Sequence, residues 1–200
     1  MKYPLSTPFK GDRHYIHGSD LFNASEAVAE LVTGANDAYV SKLVFTRFAY
    51  HQCELVLSSS ATDDVSNQMG AGEFRMPDGS CMPFCLYEGD QAPLERTSYD
   101  EDGMVSAAIC AEQAVTLQVP IKYSSIEAVI ALTKVLNYRL SPPKDGKWVF
   151  GKIELTQALP IPQSYISITR IKSVPGRFSV NEINIDGATV GTIQFIVGAP

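Results

Sequence analysis

Three histidines stand among the 200 residues, His14, His17 and His51. Two belong to the densest run of chemistry-bearing groups in the chain, Arg13-His14-Tyr15-Ile16-His17-Gly18-Ser19-Asp20. On an extended backbone His14 and His17 point to opposite faces, whereas a turn at Gly18 brings His17 and Asp20 together. A carboxylate beside an imidazole holds it as a general base, and imidazole titrates near cellular pH. The plain alternative is a loop histidine next to a capping aspartate. His51 lies between Tyr50 and Gln52 in a largely apolar tract. It reads either as a satisfied strand histidine or as an active-site base, and Glu54 falls on the opposite face unless the strand is bulged. Arg47, in the same tract, reads as an exposed strand arginine.

Other chemistries are poorly served. His14 and His17 do not make a zinc motif, and Cys81 and Cys85 lack the two-residue ligand spacing, so no metal site is expected. The four cysteines, Cys53, Cys81, Cys85 and Cys110, have strand-like flanks and are expected as free buried thiols. There is no glycine-rich phosphate loop between a strand and a helix, and no nucleophile elbow. Sixteen Lys plus Arg against 22 Asp plus Glu give a formal charge of −6, which disfavours nucleic acid and anionic membranes as partners. With no apolar run of ~20 residues and no secretory leader after Met1-Lys2-Tyr3-Pro4, a soluble cytoplasmic protein is expected.

The elements that must position these groups are clearest in the C-terminal half. Residues 148–155, 165–171, 177–185 and 189–197 alternate as strands, and Asp186-Gly187 suits a type I′ hairpin turn, so a meander of about four antiparallel strands is expected. Residues 124–138 follow helical spacing through Ile126, Val129, Ile130, Leu132, Thr133 and Leu136 and would cover that sheet. Ser124 or Ser125 caps this helix without a clear capping box. Pro142-Pro143 ends it.

The N-terminal half repeats this order less distinctly. An irregular arm at 1–13 leads to a strand at 14–17, then to a helix at 25–31 capped by Asn23, with Ala27, Val28 and Leu31 as its apolar side. Strands follow at 39–58, with a phase change near Arg47. Beyond a polar loop at 58–72, a hairpin joins 73–76 to 80–87 across Pro77-Asp78-Gly79. Residues 88–103 read as an acidic linker and 105–121 as a strand run.

Strand, covering helix and antiparallel meander in this order resemble the hotdog fold. The resemblance is carried by SSIEAVIALTKVL at 124–136 for the central helix and GRFSVNEINIDGATVGTIQF at 176–195 for the last hairpin. Two such halves imply an α+β double hotdog, two curled antiparallel sheets merged around central helices, with halves at 12–92 and 104–198 and a linker at 93–103. The resemblance further implies a tunnel at the seam that accepts an acyl thioester of coenzyme A or acyl carrier protein, as in the dehydratases and thioesterases of fatty acid or polyketide metabolism. Dehydratases of the superfamily use a histidine from one half and an acid on the other half's helix, and Glu127 stands near that acid's place. The dehydratase motif around the histidine is replaced here by Lys122-Tyr123-Ser124-Ser125.

On this reading His17 or His51 is the general base, Asp20 orients it, and Glu127 holds or protonates the thioester side. Arg47 meets the pantetheine phosphate, and no further cofactor is expected. A carboxylate pointing inward costs several kcal/mol unless paired or protonated, whereas an outward Glu127 would simply complement the helix dipole. The rival expectation is a noncatalytic acyl-ligand binding or assembly domain. Either a monomer, its halves paired internally, or a homodimer joined at a sheet edge fits the pattern.

Overall fold

The computed structural model describes residues 1–34, 37–57 and 66–199. It divides into two compact units, Met1–Tyr99 and Asp100–Pro200. In the first unit the strands are β1 (Lys2–Leu5), β2 (Phe9–Lys10), β3 (Tyr39–Phe45), β4 (Cys53–Leu57), β5 (Gln68–Arg75), β6 (Cys81–Glu88) and β7 (Arg96–Thr97), with helix α1 at Gly18–Thr33. Five strands form an antiparallel array in the order β1-β4-β6-β5-β3, and β2 pairs with β7 in parallel.

Helix α1 begins seven residues before the expected start, because Gly18-Ser19-Asp20 is its first turn and His17 its N-cap. That start resets the phase. Leu21, Phe22, Ser25, Val28 and Ala29 form the buried face, while Leu31 is 70% exposed and Ala27 faces solvent. Gly34 closes the helix at φ 61°, its N–H donating to Glu30 O, the left-handed C-terminal geometry that glycine allows.

The expected strand at 14–17 is irregular backbone. Ile16 N–H donates to Ala49 O and the Tyr15 ring meets Phe48 edge-on. The supposed arm instead supplies β1 and β2. The phase change near Arg47 is a break over 46–52 between β3 and β4, which are not neighbours. Much of the predicted loop at 58–72 lies outside the described residues, but β5 starts within it at Gln68. Its glycines read as loop, yet Gly72 makes room for the Phe84 ring, whose Cζ would lie 2.3 Å from an added Cβ. Phe84 in turn stacks on Phe74. The predicted hairpin joins β5 to β6, and Asp78 accepts bonds from Ser80 N–H and Oγ–H.

The second unit contains α2 (Glu101–Val105), β8 (Ile109–Cys110), β9 (Ala114–Gln118), α3 (Ser125–Leu140), β10 (Lys147–Leu155), β11 (Tyr165–Val174), β12 (Phe178–Ile185) and β13 (Ala188–Gly198). Its antiparallel order is β10-β13-β12-β11-β9-β8. Three consecutive strands thus form a meander, and β10 lies beyond β13 rather than beside β11. Asp186 (φ 53°) and Gly187 (φ 89°) make the expected tight turn. Ile166, Ile168, Ile183, Ile185, Ile193 and Phe195 are buried along the sheet, and Ile126, Val129, Ile130, Leu132 and Leu136 along α3.

Two further expectations change. The stretch 88–103 carries β7 and the start of α2, and 105–121 forms two short strands. All four cysteines are free, but only Cys53 is buried, Cys81 and Cys110 being exposed at strand ends. Among the described residues, no helix is long and apolar enough to cross a membrane.

Candidate functional site

The turn at Gly18 draws the first cluster together. His17 caps α1, and Asp20, in the first turn, donates its N–H to His17 O at 2.9 Å. From β2, Lys10 brings Nζ to 2.7 Å from Asp20 Oδ1 and 3.0 Å from Ser19 Oγ. Ser19 Oγ lies 2.7 Å from His17 Nδ1. Tyr99 packs its ring 5.5 Å from the imidazole, with Lys10 Nζ over the same ring at 4.8 Å. Lys10, His17 and Ser19 are all buried. A buried Lys–Asp pair offsets its desolvation only with added hydrogen bonds, and Ser19 supplies one. The positive end of the α1 dipole falls on the same place.

The second cluster centres on Glu88, the last residue of β6 and the ladder partner of Cys53. Phe84, Leu86 and Glu88 fall on the same buried side of β6, which lodges a carboxylate at a core position. Glu88 Oε1 accepts from Tyr50 N–H at 2.6 Å, from His51 N–H at 2.9 Å and from His51 Nδ1 at 3.1 Å. Oε2 lies 2.5 Å from Arg47 Nη1. Burial is the largest influence on this carboxyl and pushes its pKa up. The two backbone N–H groups, the imidazole and the Arg47 guanidinium together outweigh it and hold the acid below its ordinary value. An ionised carboxylate only accepts, so Nδ1 must be the protonated nitrogen and Nε2 the basic one. The Glu88 side chain is 8% exposed and that of His51 44%, so the break at 46–52 presents an oriented imidazole on a buried anchor.

Cys53, beside this acid, is no nucleophile. Burial, and then the Glu88 charge, push its thiol up to about 12 against the opposing Arg47, which keeps the reactive thiolate scarce. Arg47 is committed to Glu88 and, through Nε, to Gln68 O at 3.3 Å.

Glu127 belongs to the second unit. It is buried and accepts from Ser124 N–H at 2.9 Å and Ser124 Oγ–H at 2.6 Å, closing a capping box on α3. The sequence does carry that box, as Ser124-Ser125-Ile126-Glu127, which corrects the expectation that none was clear. It also corrects the solvent-facing alternative, since the carboxylate complements the helix start from a buried position.

Two acids escaped the sequence reading. Glu88 looked like the first residue of an acidic linker, although the alternation of β6 runs through it. Glu26, on α1, accepts from Val40 N–H at 3.0 Å, and burial raises its pKa to about 7 against the opposing pull of that N–H. Its position becomes legible only once the helix phase is right. Among the described residues, no group of three His, Cys, Asp or Glu could hold a metal ion.

No family model matches the chain, and no curated protein matches it. Solved structures do. A putative thioesterase II from Thermobifida fusca is 11% identical at TM-score 0.55, covering 100% of this chain and 94% of that one. The pyran synthase domain from module nine of the sorangicin pathway is 11% identical at TM-score 0.52, covering 100% and 92%. A tesB protein of Mycobacterium avium subspecies paratuberculosis is 11% identical at TM-score 0.51, covering 97% and 91%. With a long helix and an antiparallel sheet in each unit, the chain has the α+β double-hotdog fold.

Proposed function

We propose that this double-hotdog chain is an enzyme acting on an acyl thioester of coenzyme A or acyl carrier protein, with His51 as general base and Glu88 as the acid that orients it. The observation that carries this reading is the 3.1 Å contact between His51 Nδ1 and a buried, ionised Glu88 on a partly exposed ring. With Nδ1–H fixed, Nε2 can take a proton from water as its oxygen bonds to the thioester carbon. The C–S bond then breaks and the proton passes to the leaving sulfur. The same nitrogen could instead take a proton from the carbon beside the carbonyl, as a dehydration requires. Arg47 retains guanidinium donors beyond those engaged by Glu88 and Gln68, and these would meet the pantetheine phosphate. Likeness in fold to a putative thioesterase and to a pyran synthase domain supports this substrate class without choosing the reaction.

A second reading gives the base to His17, with Asp20, Ser19 and Lys10 setting its position. It is favoured by the lodging of that ring at the N-terminus of α1, where a carbonyl oxygen would be polarised.

The test is turnover of a panel of acyl-CoA and acyl-carrier thioesters, read by thiol release and by alkene formation. His51→Ala is expected to lower kcat by about 100-fold or more, and Glu88→Gln by a smaller factor in the same direction. Unchanged kcat in His51→Ala with loss in His17→Ala selects the second reading. Unchanged kcat in both overturns the mechanism, and a chain that binds these thioesters without turning them over is a binding domain.

A further inference from the structure

His51 and Gln52 stand where the ladder between β1 and β4 runs out. That ladder pairs Lys2 with Val56, Tyr3 with Leu55, Pro4 with Glu54 and Leu5 with Cys53, and Leu57 N–H, donating to Met1 O, carries it one step beyond Lys2. In an antiparallel pair, residues that exchange backbone bonds alternate with residues that do not. Counting from Met1 and Leu57, the bonding pairs are Tyr3 with Leu55 and Leu5 with Cys53, and Pro4, which has no N–H, falls between them. The next bonding pair in this register is Thr7 with His51.

That pair does not form. His51 N–H donates instead to Glu88 Oε1 at 2.9 Å, and Thr7 takes its two backbone bonds from the side chain of Gln52. Thr7 N–H donates to Gln52 Oε1 at 2.9 Å, and Gln52 Nε2–H donates to Thr7 O at 3.0 Å. A carboxamide offers an acceptor and a donor side by side, as the edge of a strand does. The backbone of Gln52 is held as well, its N–H donating to Gln91 O at 2.7 Å and its carbonyl accepting from Gly89 N–H at 2.8 Å. Thr7 is buried, so its peptide groups are costly to leave unmade. Without the Gln52 amide, the peptide in register to serve them is that of His51.

We infer that Gln52 is a positioning residue for His51: its carboxamide stands in for the His51 peptide in the β1–β4 ladder and so releases the His51 N–H to Glu88. The backbone bond and the ring bond to Glu88 Oε1 then hold the imidazole at two points. Loss of the amide lets Thr7 draw on the His51 peptide, and the ring keeps only one hold. This role rests on the reading of His51 as the base, but the geometry it sets is present without turnover.

Nitrogen NMR of the full chain labelled at histidine reads that geometry directly. In the wild type, His51 is expected as a single tautomer protonated at Nδ1. Gln52→Met keeps the length and removes the amide. It should move the His51 ring signals toward the average of the two tautomers and leave those of His14 and His17 in place, whereas a general loosening would move all three. With an acyl thioester that the wild type turns over, kcat should fall by about tenfold while KM stays within about twofold. Gln52→Glu, which keeps the acceptor for Thr7 N–H and loses the donor, should fall between, and it replaces Gln52→Met if circular dichroism shows that variant unfolded. A folded variant that keeps the wild-type His51 tautomer overturns the inference whether or not any thioester is turned over, and so does a loss carried by KM alone. A shifted tautomer in a chain whose wild type turns over no thioester leaves the role of Gln52 standing and removes the thioester chemistry.

Discussion

Helices α1 and α3 are each 16 residues long, yet they bury different chemistry. From Ile126 to Thr133 every residue of α3 is buried, and its one first-turn acid is absorbed by the cap. Of the buried residues of α1, two are serines; the helix also carries Glu26 near Val40 and begins against the Lys10–Asp20 pair. The sheets differ likewise. β10 to β13 run 8 to 11 residues without interruption, whereas the first unit breaks over 46–52 and there presents Arg47 and His51 to Glu88. A buried polar group left unsatisfied costs about 1–3 kcal/mol. The first unit commits its buried polar side chains to partners, as the second does Glu127 and Thr133, while the second leaves polar atoms of Asn137, Arg170 and Asn181 without one among the described residues. One arrangement of elements thus serves mainly as apolar scaffold in one unit and as a mount for titratable groups in the other.

The sharpest way to break that contrast is through activity. His51→Ala should cost about 100-fold or more in kcat, while Glu127→Gln, on α3 of the second unit, should leave kcat unchanged. Equal losses in the two variants would place chemistry in both units and end the division of labour.

Stability against pH sharpens the same contrast. Glu26 is raised from its ordinary 4.5 to about 7 in the folded chain, so the folded state holds that proton more tightly than the unfolded one. Its contribution is full below the unfolded value and is lost as pH rises through the folded one. Urea midpoints of the wild type are therefore expected to fall between about pH 5 and about pH 8, and Glu26→Gln should flatten that fall. Parallel declines in the two proteins would show that the carboxyl is not the source.

Legibility in the sequence followed the same division. In the second unit, alternation, a two-residue turn and a helical stripe all agreed, and the order of elements from α3 onward was readable, with β10 misplaced because ladder neighbours are not encoded in alternation. The first unit hid its strands behind glycines at 70 and 72 and its helix start behind Gly18-Ser19-Asp20. The histidines were visible as types, but their partners were not. Glu88 lies 37 residues from His51, a distance that only the β4–β6 ladder closes. Arg47 is exposed, as expected, but the sequence did not reveal its counter-charge, which sits on another strand.

A smaller effect separates scaffold from chemistry within the second unit. If Glu127 serves α3 only as its cap, Glu127→Gln and Ser124→Ala should each lower stability by about 1 kcal/mol or less. The double variant should lose less than the sum, because both act through the same bonds. Strict additivity in the denaturation midpoints would mean that Glu127 works through another contact.

The smallest expected effect concerns the wall of the proposed site. Cys53 pairs with Glu88 across the ladder, lies 3.7 Å from Met69 Sδ and holds its thiol at about 12. Cys81 and Cys110 are exposed. A thiol-directed alkylating reagent should therefore modify Cys81 and Cys110 in the native chain and reach Cys53 only on unfolding. In a Cys81→Ser, Cys85→Ser, Cys110→Ser background, which leaves Cys53 as the one thiol, labelling of Cys53 that tracks global unfolding would show that β4 and β6 open only with the whole unit. Faster labelling would instead mean that the anchor of His51 opens locally, and the acid that orients the base would then be the least stable part of its own site.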